Sequence, residues 1–186
     1  MKTIAVKDLM VPIEEYATVS QEATLYDAVV ALEKAQERLD RDQYHYLHRA
    51  VLVYDAQNRI AGKVSQLDAL RALEPKYRDM GEPGSLSKAG FSTSFLRSML
   101  QQYSLWDKPL SDICKKATQV KVKEFMHTPA EGEYVREEAT LEEAIHFLLV
   151  GRHQSLLVTQ GEDIVGVLRL TDVFKDIFQR VKACAI

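Results

Sequence analysis

Cysteine is scarce: Cys114 and Cys184 are the only two in a chain of 186 residues. They lie far apart and in no metal-like spacing, so neither a disulfide framework nor a zinc site is expected; the thiols read as reduced and the protein as cytoplasmic. Long apolar runs are missing too. Nothing approaches the roughly 18 residues that span a bilayer, and "MKTIAVKDLM" is too short and too interrupted by charge for a secretory signal. There is no surplus of basic charge: the net charge of -3 creates no field to gather nucleic acid. Catalytic signatures are also absent, with no Gly-x-Ser-x-Gly elbow, no Gly-x-x-x-x-Gly-Lys loop and no His-Glu-x-x-His. The expectation is therefore a chain that is not an enzyme and meets neither membrane nor nucleic acid. With 46% hydrophobic and 27% charged residues it can still bury an ordinary globular core.

What the chain does contain is itself, twice. "VKDLMVP" (Val6 to Pro12) answers "VKEFMHTP" (Val122 to Pro129), and "TVSQEATLYDAVVAL" (Thr18 to Leu32) answers "YVREEATLEEAIHFL" (Tyr134 to Leu148). Ala23, Thr24 and Leu25 map to Ala139, Thr140 and Leu141 at a constant offset of 116. Further on, "GKVSQLDAL" answers "GVLRLTDVF", and Asp68 maps to Asp172 at an offset of 104. The offset falls by twelve, which places extra residues of the first copy in "QERLDRDQYHYLH".

Each copy reads as strand, helix, strand, strand, helix. A strand ends near Val19 or Val135; Leu25, Ala28, Val29 and Leu32 then recur at helical spacing. Thr24 or Thr140 can cap that helix, with Asp27 or Glu143 completing a capping box. Two apolar strands joined by a turn lead into a last helix at "LDALRAL" or "TDVFKDIF". One small sheet cannot cover both amphipathic helices of its unit, so two copies should pack sheet to sheet around a pseudo-two-fold axis. The expected class is α/β (α+β), with two β-α-β-β-α repeats at residues 1–74 and 119–186 and an insertion at 75–118. Within the insertion, Pro75, Gly81, Pro83, Gly84 and Gly90 predict a loop. "STSFLRSMLQQYSLW" predicts an amphipathic helix capped by Thr93 or Ser94 and stopped by Pro109, and "LSDICKKA" one more turn. Its Phe, Leu, Met, Tyr and Trp content predicts packing on the module or on a partner.

The ordered set, repeated in register and ending each time in Gly-x-apolar-(Ser/Thr)-x-x-Asp, resembles a tandem pair of CBS domains, named after cystathionine β-synthase. The resemblance covers nearly the whole chain outside Glu74 to Thr118. It implies a regulatory, energy-sensing module that needs no catalytic cofactor. Such a module holds AMP, ADP, ATP or S-adenosylmethionine between its repeats and forms a homodimer, with a possible protein partner. It also implies ribose contacts from Asp68 and Asp172 and a ribose or phosphate contact from Ser65. Adenine contacts would come from the backbone near Thr18, Val19, Tyr134 and Val135, and phosphate contacts from His48, Arg49, Arg152 and His153. Arg169 departs from the pattern at the position of Ser65. A ligand-free scaffold or dimerisation module acting through the helical insertion is the alternative.

Residue chemistry is compatible with this but leaves choices open. An ionised Asp only accepts hydrogen bonds, which suits a diol that donates two; the same Asp at a strand-to-helix junction could cap its own helix. Ser65 could add a hydroxyl to an anion site at a helix N-terminus, or be a strand-end residue. Arg169 could clamp a phosphate, fill and close its cleft, or face solvent. Arg152 and His153 in "RHQ" could neutralise a polyphosphate or lie on a surface loop. His45 and His48 lack an adjacent third ligand, so no metal is expected. Tyr103 and Trp106 could stack on a base or pack the insertion.

Overall fold

The computed structural model describes residues 4–40, 42, 44–79, 91–107 and 112–184. In the first copy the elements are β1 (Val11–Pro12), β2 (Thr18–Ser20), α1 (Leu25–Arg38), β3 (Ala50–Tyr54), β4 (Ile60–Ser65) and α2 (Gln66–Leu73). The insertion holds α3 (Lys76–Asp79), α4 (Thr93–Gln102) and α5 (Ile113–Gln119). The second copy follows with β5 (Tyr134–Arg136), α6 (Leu141–Gly151), β6 (Ser155–Gln160), β7 (Asp163–Arg169) and α7 (Leu170–Cys184). Thus each copy folds as the strand-helix-strand-strand-helix unit that the repeat predicts.

One sheet has the order β2-β3-β4 and the other β1-β7-β6-β5. In both, the strand before the first helix runs parallel to the strand after it, and a hairpin adds the third strand antiparallel. Between the sheets, Val11, Leu52, Leu157 and Val167 are almost wholly buried with Tyr16, Leu39 and Tyr44. Two further clusters fill the space between each sheet and its helices, around Leu148, Leu156 and Leu168 in one copy and Ala28, Val53 and Val64 in the other.

The copies trade their leading segments. Val6 N donates to Ala139 O (2.9 Å) and Lys7 N to Glu137 O (3.0 Å); their counterparts Val122 N and Lys123 N donate to Ala23 O (2.8 Å) and Gln21 O (3.0 Å). β1 pairs with β7 of the second copy, Val11 opposite Val167, while His127 and Lys63 of β4 exchange both backbone bonds at 2.9 Å. This exchange explains the two repeated glycines. A Cβ at Gly166 would lie 2.7 Å from Val11 O, and one at Gly62 2.9 Å from His127 O, so no side chain fits under the visiting strand.

Local expectations hold unevenly. Thr24 and Asp27 form a complete capping box; Thr140 accepts from Glu143 N (3.3 Å), but among the described residues the Glu143 side chain makes no return bond, so this box is half closed. The cap of α4 is Ser92, not Thr93 or Ser94: Ser92 is the extended residue, and its Oγ accepts from Phe95 N (3.1 Å). The proline- and glycine-rich loop is interrupted at its start by α3, and Gly81, Pro83, Gly84, Gly90 and Pro109 lie outside the described residues. α4 does not pack on the module along its length, since Phe95, Leu96 and Leu100 are 44–48% exposed. It is pinned at its C-terminal end, where Leu105 is buried and Trp106 N donates to Glu74 Oε2 (2.8 Å). Trp106 Nε1 donates to Tyr77 OH (3.2 Å), so this indole packs the insertion.

Candidate functional site

The two strand-to-helix junctions carry the residues of interest, and they are built differently. At the first, Ser65 is extended (φ −82°, ψ 166°) and is the N-cap of α2. Its Oγ accepts from Asp68 N (3.2 Å) and donates to Asp68 Oδ2 (2.6 Å), which also accepts from Ser65 N (2.9 Å). The cap is therefore Ser65, and Asp68 is the third helical residue closing a capping box. Asp68 Oδ1 sits 3.9 Å from Arg71, outside hydrogen-bond reach, on a side chain that keeps 18% exposure.

At the second junction Arg169 replaces the serine and no hydroxyl caps the helix. Arg169 is 4% exposed. Its Nε donates to Asp172 Oδ2 and its Nη2 to Asp172 Oδ1 (2.8 Å), a two-pronged ion pair. Nη1 donates to Tyr46 O (2.9 Å) and reaches His48 Nδ1 at 3.3 Å, and the guanidinium lies 5.5 Å from the centre of the Tyr44 ring. Tyr16 packs on His48 with ring centres 4.5 Å apart. Of the options for Arg169, the solvent-facing one is excluded by this burial.

The other expected residues are spread over the module. Thr18 and Val19 pair with Leu52 and Val53, and Tyr134 and Val135 with Leu157 and Val158, as first strands of their sheets. Tyr134, Val135 and Gly132 line a cavity of about 870 Å3; Thr18 and Tyr16 line one of about 430 Å3 at the corresponding place of the first copy. Arg49 and Arg152 are exposed and His153 half-buried, and among the described residues none of their side chains has a hydrogen-bond partner. Arg152 takes a left-handed conformation (φ 53°) that ends α6. The structure thus unites Arg169, Asp172 and His48, and separately Ser65 and Asp68. His45 diverges from His48 and approaches Lys175 Nζ (3.1 Å).

A third cluster bridges the repeats. Lys63 of β4 donates to Glu133 Oε2 (2.5 Å), His127 Nε2 meets Glu133 Oε1 (2.5 Å), and Ala130 N donates to the same oxygen (3.1 Å). Glu133 is 4% exposed. Burial would raise its pKa, but the bonds from Lys63, His127 and Ala130 outweigh that and bring it to about 2. Sequence reasoning missed this cluster, although a signal existed. In repeat register Lys63 answers Val167 and Glu133 answers Ala17, so two charges appear where the other copy is apolar.

His48 has its pKa lowered to about 4 by burial and by the Arg169 charge. Its folded value lies below the unfolded one, so the native state resists protonation, and stability falls as pH drops from about 6.5 toward 4. The expected loss between pH 6.5 and 5 is on the order of 2 kcal/mol. Urea midpoints measured across that range should decline, and His48→Gln should flatten the decline; an equal slope in both proteins would rule His48 out as its source.

Residues 6–75 and 122–179 match the family described as CBS domain, which accounts for more than half of the chain. The chain belongs to the CBS domain family. Its two repeats form a CBS pair, and solved CBS proteins share the fold over nearly their full length. CBSX2 from Arabidopsis thaliana is 19% identical with a TM-score of 0.59, covering 97% of this chain and 99% of its own. CBSX2 in complex with AMP is 21% identical with a TM-score of 0.57, covering 94% and 97%. A CBS domain-containing protein from Bacillus anthracis is 16% identical with a TM-score of 0.61, covering 95% and 94%. No curated protein matches the chain. Among the described residues, no helix is long and apolar enough to cross a membrane.

Proposed function

We propose that this CBS pair is a cytoplasmic regulatory module, not an enzyme, that binds an adenine nucleotide or related adenosine ligand between its repeats, at the cleft bordered by Ser65 and Asp68. The ligand favours one relative geometry of the repeats, and this shift passes to a partner protein or a second copy. The observation that carries the reading is an asymmetry. At the second junction Arg169 occupies both carboxylate oxygens of Asp172, whereas at the first Asp68 Oδ1 has no hydrogen bond among the described residues. One carboxylate is thus taken by the chain itself, and the other keeps an oxygen for a ligand. The AMP complex of CBSX2 supports the ligand class.

In this reading Asp68 accepts from the ribose hydroxyls, and the Ser65 hydroxyl with the N-terminus of α2 receives an anionic group. Lys63, two residues before Ser65 and so on the same face of β4, brings a cation nearby, Arg49 and Arg152 supply exposed positive charge, and His153 adds a ring nitrogen. A nucleotide at 100 times its dissociation constant adds about 2.7 kcal/mol, or roughly 5–10 °C in melting temperature at this size. Asp68→Ala should abolish the shift. No shift with AMP, ADP, ATP or S-adenosylmethionine at millimolar concentration would end the proposal.

A scaffold reading draws on a different observation. α4 exposes Phe95, Leu96 and Leu100, and the last two helices expose Leu149, Val150, Phe174 and Phe178, apolar surface of the kind that homodimers cover. Sedimentation showing a monomer at high concentration would count against it.

A further inference from the structure

We infer that the second cleft already holds an occupant supplied by the chain itself: segment 44–48, latched by Arg169, sits where a small molecule would otherwise reach Asp172, so the module takes one ligand per chain. The ligand half of this inference rests on the proposed function; the latch does not.

Three observations converge. First, both Asp172 oxygens receive a guanidinium N–H, and every nitrogen of Arg169 is engaged, the last one by Tyr46 O and His48 Nδ1. An Asp so held offers a diol far less than Asp68, where Oδ1 lacks a hydrogen bond. Second, the filling groups come from the twelve residues that the first copy has and the second lacks. Tyr44 and Tyr46 belong to that stretch, whereas in the second copy α6 passes through Arg152 and two more residues into β6. The open cleft therefore has no equivalent segment to fill it. Third, the space left is small. The cavity beside Asp172 and Tyr44 is about 200 Å3, below the roughly 300 Å3 at which ligand pockets begin.

The latch is geometric as well as electrostatic. Tyr44 N is tied back to Asp40 O (2.8 Å), Tyr44 and His48 are 7% and 0% exposed, and Gln36 Nε2 holds His48 O (2.6 Å). A competing ligand would have to displace a bonded stretch of backbone and leave a buried arginine without its acceptors.

The test has two arms. Hydrogen exchange on the free protein needs no ligand: in Arg169→Ser the amides of residues 44–48 should exchange at least tenfold faster, with the rest of the sheets unchanged. Should Arg169→Ser fail to fold, Arg169→Lys keeps the charge but loses the fork and should show the same local loss. Unaltered exchange at 44–48 in a folded variant overturns the latch. The second arm is calorimetric titration with AMP. The native chain should bind one AMP, and folded Arg169→Ser should bind two. Two AMP per native chain, or one in folded Arg169→Ser, overturns the inference while leaving the nucleotide reading intact. No binding of any adenine nucleotide removes that reading, and the exchange arm then decides the latch alone.

Discussion

Glu133→Ala should cost about 3–5 kcal/mol of stability, read as a lower urea midpoint with little change in slope. The carboxylate is nearly inaccessible and receives an ammonium, an imidazole and a backbone N–H. Its removal leaves Lys63, whose side chain is only 14% exposed, as an unbalanced charge in the seam between the repeats. The loss arises from that stranded ammonium, and a second substitution shows this. Lys63→Met with Glu133→Leu replaces the pair by apolar groups and should recover most of the stability, because a buried pair and a well-packed apolar pair differ little. A single substitution costing under about 1 kcal/mol would mean that the seam is wetter than its burial indicates. The pair also sets an acid limit. The pKa of Glu133 is depressed to about 2, so its contribution is complete above its unfolded value near 4.5 and lost as pH falls from there toward 2.

Gly166→Ala should cost about 3 kcal/mol, the upper end of overpacking costs. The new carbon would stand 2.7 Å from Val11 O and 2.9 Å from Met10 Sδ. The thioether can turn aside, but the carbonyl belongs to β1 and moves only if that strand leaves β7. Gly62→Ala meets the same obstacle at His127 O and Met126. Gly132→Ala is the control: the space around it is open, and the change should lie within about 0.5 kcal/mol. In melting temperature the contrast is roughly 6–12 °C against at most two. Equal effects at Gly166 and Gly132 would show that β1 yields easily.

The architecture was legible because a repeat in constant register states the same prediction twice, and apolar spacing alone separates its strands from its helices. Local chemistry was less legible where one residue type serves two ends. Ser65 and Asp68 satisfy a capping box and a diol-and-anion site equally well, and only the structure shows the box closed. Arg169 could not be placed from the chain alone, since its partners lie some 120 positions away in the twelve-residue excess. That excess was visible; that it folds into the opposite junction depends on tertiary packing. The glycines of "GKVS" and "GVLR" were visible as a pair, but their cause, a strand arriving from the other copy, is again long-range. Choosing Thr93 or Ser94 over Ser92 was a boundary error of one or two residues, the range over which helix starts are poorly encoded.

The traded leading segments make each half's last hydrogen bonds the property of the other half. A single repeat cut from this chain would expose a bare edge on its hairpin and an unpaired end on its first helix. Neither half should melt alone, and denaturation should follow one transition despite the internal duplication. A chain with one such repeat would satisfy these bonds only by trading arms with a second molecule; the fused pair is, in effect, an arm-exchanged dimer held within one polypeptide.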